Sequence, residues 1–282
     1  MSDGLRMARA LRIDGGHARE HEDAVIEESP VALLYNGMPF AVMMATPVDL
    51  EDFALGFALC EDIVGHAREF SLVDVVRDDA GIALHAAIPQ ARFDLLEDRR
   101  RTLEGRSGCG LCGVAELREA LRALPRATGE RSVTVADIHA ALDAVSCRQP
   151  MNARSGGVHA AGFVRGAEAW VREDVGRHNA VDKLVGALHR DTSVFAAPDG
   201  AIGGAIGGAM DGTMDGVLVV TSRASYEIVR KAAFAGIQVV VAMSAPTAQA
   251  IVQADAANIT LVAFARDARM TVYAGRERIA LA

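Results

Sequence analysis

Two cysteines in C-x-x-C spacing, Cys109 and Cys112, stand in the segment Ser107-Gly108-Cys109-Gly110-Leu111-Cys112-Gly113. Glycines at 108, 110 and 113 free the backbone, and a helix is expected to begin just after Cys112. Amide N–H groups and the positive end of a helix dipole favour the thiolate, the form that attacks sulfur. Arg99, Arg100, Arg101 and Arg106 push the same way. A second thiol nearby can resolve a persulfide or close a disulfide. Three chemistries compete. Structural zinc needs four ligands, commonly two such pairs, and the remaining Cys and His offer no matching knuckle. A thioredoxin-like dithiol sits between a strand and a helix near the start of a βαβ unit, whereas this pair follows an Arg-rich stretch in mid-chain. Sulfur handling suits an exposed, glycine-rich loop. The pair alone does not choose among them.

Three further constellations bear on what such a thiolate could serve. In Gly156-Gly157-Val158-His159-Ala160-Ala161 the histidine invites comparison with a zinc deaminase, whose His-Ala-Glu precedes its Cys pair and uses the Glu to move protons. Here Ala161 holds the Glu place and the Cys pair comes first, which excludes deaminase chemistry but not a related fold. The alternative for His159 is a buried or backbone-bonded histidine. The stretch from Glu173 to Lys183 brings more polar groups to a helix start than capping needs. Asp174 or Asn179 could cap, while Arg177, His178 and Lys183 could line an anion pocket; a solvated helix start is the alternative.

The third constellation is a set of strand ends. Thr221-Ser222-Arg223-Ala224-Ser225 follows a strand, Ser244-Ala245-Pro246-Thr247 repeats the arrangement, and Phe264-Ala265-Arg266-Asp267-Ala268-Arg269 follows a third strand. Ligands of open α/β sheets bind beyond the carboxyl ends of strands, and helix N-termini favour phosphate. A phosphorylated or nucleotide-like ligand is expected there. Capping explains the Ser and Thr residues, not the arginines.

The elements that must hold these groups show as apolar runs. Val31–Tyr35 and Phe40–Met44 flank Asn36-Gly37, a hairpin turn signal. Thr46-Pro47 is expected to open a helix, with Thr46 as N-cap and Asp49, Glu51 and Asp52 near its positive end. Strand-like runs follow at Ser71–Arg77 and Ile82–Ile88. Glu97–Arg106 reads as a charged, solvated loop leading into the Cys pair. Helices are expected over Val114–Leu124 and Thr134–Val145, the second with a Thr134/Asp137 capping box. From Gly156 onward strands at 158–164, 169–171, 217–220, 239–242 and 259–264 alternate with helices at 178–190, 225–235 and 246–257. That pattern is α/β, with helices covering both faces of a sheet. The Gly-rich stretch 199–216 matches neither a dinucleotide fingerprint nor a phosphate loop, and reads as a mobile surface insertion.

Composition bounds the rest. With 282 residues, 51% of them apolar, the chain can bury a sizeable core, and aromatics at 5% leave that core to small side chains. No apolar run is long enough to cross a bilayer, and residues 1–24, within a charged, Gly-containing Met1–Glu28 stretch, read as a flexible leader rather than a secretory signal. A small α+β domain over 25–105 and an α/β domain over 106–282 complete the expected layout. Four cysteines, Cys60, Cys109, Cys112 and Cys147, form no disulfide framework and suit a reducing, cytoplasmic setting. A net charge of −8 argues against general nucleic-acid binding. No metal site, no nucleic acid and no membrane are expected.

Taken together these stretches resemble the formate dehydrogenase accessory sulfurtransferase family, FdhD. The resemblance rests on Asn36-Gly37, Met44-Ala-Thr-Pro-Val-Asp49, Leu55-Gly56-Phe57 with Glu61, Gly108–Gly113, His159-Ala-Ala161, Glu173–Ala180 with Asp182-Lys183, Ser222–Glu227 with Lys231, and Ser244–Thr247. It implies a persulfide on Cys109, assisted by Cys112, received from a cysteine desulfurase. The sulfur would pass to the molybdenum bis-guanine-dinucleotide pterin cofactor, bound as cargo, before insertion into the formate dehydrogenase catalytic subunit. A guanine nucleotide would mimic a fragment of that cargo. Phe264–Arg269 matches the family's cofactor-binding segment, and Ser222, Arg223, His159, Arg177 and His178 are the further binding candidates. A homodimer and a cytidine-deaminase-like main domain are also implied; a cofactor-binding chaperone without sulfur transfer is the alternative activity. Asp62 stands where Gly is common, and Phe264–Arg269 lacks the Pro-Gly character of some relatives.

Overall fold

The computed structural model describes residues 3–104, 123–129, 132–191, 214–267 and 269–281, with residues 99–104 described by their backbone alone. The N-terminal stretch is not the leader expected from its composition. β1 (Leu5–Asp14) and β2 (His17–Ile26) pair antiparallel around Gly15-Gly16, both at positive φ. Turn chemistry and backbone pairing win here over a polar composition that offers no buried face.

A four-stranded sheet follows, in the order β4-β3-β6-β5, from β3 (Ser29–Tyr35), β4 (Met38–Ala45), β5 (Ser71–Asp78) and β6 (Gly81–Ala87). Asn36 and Gly37 turn between β3 and β4 with φ of 48° and 84°, the left-handed pair that a two-residue hairpin requires. Alternation then sends Val31, Leu33 and Tyr35 of β3 into the core, with Leu84 of β6 beside them.

Helix α1 (Leu50–Cys60) begins later than expected. Its N-cap is Asp49, at φ 52° and without a side-chain capping bond, while Thr46 is buried and bonded elsewhere. α2 (Gln90–Glu104) replaces the solvated loop expected at its C-terminal half. Leu96 is buried and Phe93 packs on the core, so an apolar stripe organises this charged run into a helix.

The remaining elements are β7 (Val133–Thr134), α3 (Val135–Ser146), α4 (Pro150–Ser155), β8 (His159–Arg165), β9 (Glu168–Asp174), α5 (Arg177–Arg190), β10 (Met214–Val220), α6 (Tyr226–Phe234), β11 (Ile237–Ala242), α7 (Ala248–Ala256), β12 (Thr260–Arg266), β13 (Arg269–Ala274) and β14 (Ile279–Ala280). The Thr134/Asp137 capping box is formed as expected. Six strands make one mixed sheet in the order β13-β12-β11-β10-β8-β9. β10, β11 and β12 run parallel, and β8, β9 and β13 are antiparallel to their neighbours.

Both faces of the large sheet are covered, which is why β10 and β11 read as unbroken apolar runs. Val217, Val219, Val239 and Val241 pack toward α3, whereas Leu218, Val220 and Val240 share a core with α5 and α6. The same core continues through α1 into the four-stranded sheet. α1 and α5 touch backbone to backbone: a Cβ on Gly56 would lie 1.7 Å from Asp182 O, and one on Gly186 1.9 Å from Asp52 O. The chain is therefore mixed α/β, and no helix among the described residues is long and apolar enough to cross a membrane.

Candidate functional site

Strand direction gathers the site. β8 runs opposite to β9 and β10, so its first residue, His159, lies beside Asp174 at the end of β9 and close to the end of β10. Thr221 N donates to Ala160 O at 3.0 Å, and Ala160 N donates back to Thr221 Oγ1 at 2.9 Å. The edge continues sideways: Met243 N donates to Val220 O at 3.0 Å, and Phe264 N to Ser244 O at 3.1 Å. His159, Thr221–Ser225, Ser244–Thr247 and Phe264–Arg266 thus sit along one edge of the large sheet, as the strand-end reading expects.

The first turn of α5 supplies the open part of this edge. Arg177 Nε lies 3.3 Å from His178 Nε2, which Ser225 Oγ approaches at 3.5 Å and Glu227 Oε2 at 3.7 Å. The Arg177 donation requires a free lone pair on His178 Nε2, as in a neutral ring. Burial, then the charge of Arg177, holds His178 below its usual pKa; His159 is lowered by the same two causes, with Asp174 opposing. Both rings are half-buried at the mouth of this edge.

Just behind lies a closed ionic network. Lys183 is fully buried, its Nζ 2.7 Å from Asp174 Oδ2 and donating to Thr46 O at 2.9 Å. Asp174 also accepts from Thr46 N and Gly176 N, and Asn179 Nδ2 bridges Asp174 to Met44 O. Glu173 accepts from Met151 N and Asn152 N in the first turn of α4. Lys183 therefore does not line a pocket, correcting the expectation for it: its charge is spent on Asp174. Thr46, expected as a cap for α1, instead ties that network to the small sheet.

A second closed network joins α1, α5 and α6. Lys231 Nζ lies 2.7 and 3.0 Å from the two oxygens of Asp182 and 2.9 Å from Glu61, which also binds Arg230 at 2.7 Å. Burial pushes the Asp182 carboxyl up to about 6, with Lys231 acting against it. Lys231, between two carboxylates, is held above its ordinary value against the pull of burial. Sequence reasoning missed this pairing, because its members come from three separate helices.

The Phe264–Arg269 segment forms the far end of the edge. Phe264 has φ 51° at a register shift between Ala263 and Arg266, a bulge that leaves its ring partly exposed. Asp267, at φ 55°, turns the chain into β13. Phe264, Arg266 and Arg269 line a groove of ≈ 260 Å³ with Met270 and Thr271. Ala265 is buried in the core on the α3 side, so only its backbone is available there. Ser222 is buried with its hydroxyl donating to Arg223 O, while Arg223 is exposed. Ser225 and Glu227 face His178, a role that their strand-end segment did not by itself assign them. Their signal was an N-cap serine; its side chain makes no capping bond and turns to the imidazole instead.

Cys109, Cys112, Arg106, Ala268, the 114–122 part of the expected helix and the 199–213 part of the Gly-rich stretch lie outside the described residues. Met214–Gly216, counted in that stretch, opens β10. Of the other cysteines, Cys60 is fully buried and its thiol is pushed well up by burial and by Asp182. Cys147 is exposed at the C-cap of α3. No group of three or more His, Cys, Asp or Glu that could hold a metal occurs among the described residues.

A family model described as the FdhD/NarQ family matches residues 26–280. The chain is 48% identical over 269 residues to a protein named sulfur carrier protein FdhD from Xanthomonas campestris pv. campestris (strain B100), covering 95% of this chain and 89% of that one. It is 44% identical over 259 residues to a protein of the same name from Cupriavidus necator (strain H16), covering 91% and 84%. Among solved structures, a protein from Desulfotalea psychrophila put forward as a formate dehydrogenase accessory protein shares the fold, with a TM-score of 0.70 at 23% identity over 98% of this chain and 99% of that one. The chain belongs to the FdhD/NarQ family.

Proposed function

We propose that the protein carries sulfur as a persulfide on Cys109, from a cysteine desulfurase to the molybdenum bis-guanine-dinucleotide pterin cofactor of formate dehydrogenase. The reading is carried by the placement of the cysteines in a chain this similar to proteins named sulfur carriers. Cys60 is sealed and held as a thiol. Cys147 stands at the carbonyl end of a helix, which offers an incoming anion no N–H groups. The glycine-flanked Cys109 and Cys112 remain.

In the first step the Cys109 thiolate attacks the outer sulfur of the desulfurase persulfide. A new S–S bond forms on Cys109 and the desulfurase cysteine leaves as thiolate. In the second, Cys112 attacks the Cys109 sulfur and releases the outer sulfur as hydrosulfide toward the cargo. The resulting Cys109–Cys112 disulfide is reset by a cellular thiol. The phosphates of the cargo would be met along the sheet edge by Arg177, Arg223, Arg266 and Arg269, with His159 and His178 beside them and Phe264 offering a ring face. Each charge-assisted bond contributes about 1.5–3 kcal/mol. The protein would act in the cytoplasm as a homodimer, its 106–282 unit layered like a cytidine deaminase.

Cells whose own copy is replaced by a Cys109→Ser chain test the reading. Formate dehydrogenase activity should be lost while the protein accumulates normally. Undiminished activity would leave cofactor binding without sulfur transfer as the function.

A further inference from the structure

Three groups crowd one ring atom at the mouth of the sheet edge. Arg177 Nε lies 3.3 Å from His178 Nε2, Ser225 Oγ 3.5 Å and Glu227 Oε2 3.7 Å. That nitrogen holds either a lone pair or a hydrogen, never both. With the lone pair it accepts from Arg177, and the hydrogen of the neutral ring is then on Nδ1. With a hydrogen it can only donate, and Arg177 offers no acceptor. The ring must then turn to Ser225 Oγ or to the Glu227 carboxylate. The two arrangements exclude each other.

The surroundings decide which side chains move. His178 and Asp182 lie one helical turn apart on α5, and Glu227 and Lys231 one turn apart on α6. The inner pair, Asp182 and Lys231, is buried and bonded at 2.7 Å, so it fixes the spacing of the two helices. Glu61 of α1 holds Lys231 as well, at 2.9 Å. Arg177 is half-buried and Glu227 exposed, so these two are free to shift. Arg177, Glu227, Lys231 and Glu61 are the charges that act on the ring. Glu227 is ionised where His178 titrates: burial opposes this, but Ser225, its own N–H, His178 and Arg177 hold its carboxyl below the ordinary value. An acid in the first turn of a helix is stabilised there by the dipole. Contact with the nitrogen that Arg177 uses is a further fact, and it gives that acid a second role.

We propose that Glu227 is a positioning residue for this edge: it draws the protonated His178 ring to itself and so releases Arg177 to meet an anionic ligand. A solvent proton on Nε2 ends the Arg177 donation and sets two cations side by side. Glu227 and Ser225 take the ring, and the guanidinium is left with its N–H groups for the ligand. Linkage makes the effect reciprocal, so an anion on Arg177 raises the proton affinity of His178. The inference rests on this edge meeting an anion, not on the sulfur step, and a Cys109→Ala chain should behave like the parent.

Nitrogen-15 NMR of the full chain tests it, with the His178 ring identified by its loss in His178→Gln and Arg177 Nε by its loss in Arg177→Lys. Between about pH 8 and about pH 5 the Arg177 Nε–H signal should shift with the same midpoint as the His178 ring. In Glu227→Gln both midpoints should move together to lower pH, whereas Glu227→Asp, which keeps the charge, should titrate like the parent. A purely structural acid at the helix start would leave the Arg177 signal where it is. Sulfate, whose charge is constant over this range, should bind the parent severalfold more tightly at the acid end, and Glu227→Gln should at least halve that ratio. An Arg177 signal that ignores the His178 titration, or a His178 midpoint unmoved in Glu227→Gln, would overturn the proposal. Sulfate bound equally at both ends would do the same. No sulfate binding at either end would overturn the anion reading of the edge, and the proposal with it.

Discussion

The first turn of α5 and the turns behind it handle charge in opposite ways. Lys183 and Asp174 are sealed together, with Thr46, Asn179 and the Gly176 N–H completing the set. Arg177 and His178 stand half-buried, with contacts to Ser225 and Glu227 at 3.5 and 3.7 Å. One polar stretch therefore divides its work: the inner groups hold β9, α5 and the small sheet together, and the outer groups are those proposed to meet an anion. A buried charge is costly unless paired, so the inner set must be closed. A binding group must keep bonding capacity in reserve, so the outer set must stay loose.

That division can be broken from the inside first. Lys183→Met leaves Asp174 buried and uncompensated, and should cost about 3–5 kcal/mol of stability in urea unfolding. Next comes the helix crossing that seats the inner set. Gly186→Ala places a methyl 1.9 Å from Asp52 O, with Asp52 C and Cα at 2.6 and 2.8 Å. The helices must part, and a loss of about 1–3 kcal/mol or more is expected in the same assay.

From the outside the effect should fall on binding alone. Arg177→Ala should weaken guanosine diphosphate binding in calorimetric titration about ten- to a hundredfold, from the loss of one charge-assisted bond. Its urea midpoint should remain that of the parent; a matching loss of stability would erase the distinction between inner and outer groups. The smallest expected effect is a pH dependence. The native fold holds His159 and His178 below their ordinary 6.5, by burial and by Arg177. The stability tied to their neutral forms is present above 6.5 and is lost as pH falls toward their lower native values. A bound phosphate favours the protonated rings, so nucleotide affinity should rise severalfold over the same descent, and His178→Gln should flatten that rise.

Much of this architecture was legible because local chemistry and final contacts agree. Asn36-Gly37 turns where its residue types say, and the Thr134/Asp137 box caps α3. The parallel strands read correctly because both of their faces are covered. Misreadings arose where tertiary structure sets the outcome. Thr46 looked like a cap, but Val175 N and Lys183 compete for its oxygens. The charges of Glu97–Arg106 hid the apolar stripe of α2. The N-terminal arm carries no buried face of its own, so nothing in its composition announced strands. Within the site, single residues were visible and their company was not. That His159 meets Arg177 and Asp174 depends on β8 lying antiparallel between β9 and β10.

The proposed function turns on one sulfur atom, and mass spectrometry can weigh it. The full chain, incubated with a cysteine desulfurase and cysteine under non-reducing conditions, should gain one sulfur atom, mapped by peptide to Cys109. A Cys109→Ala chain should gain none, and a Cys60→Ala or Cys147→Ala chain should load like the parent. Equal loading of the Cys109→Ala chain, or label found on Cys147, would contradict the account.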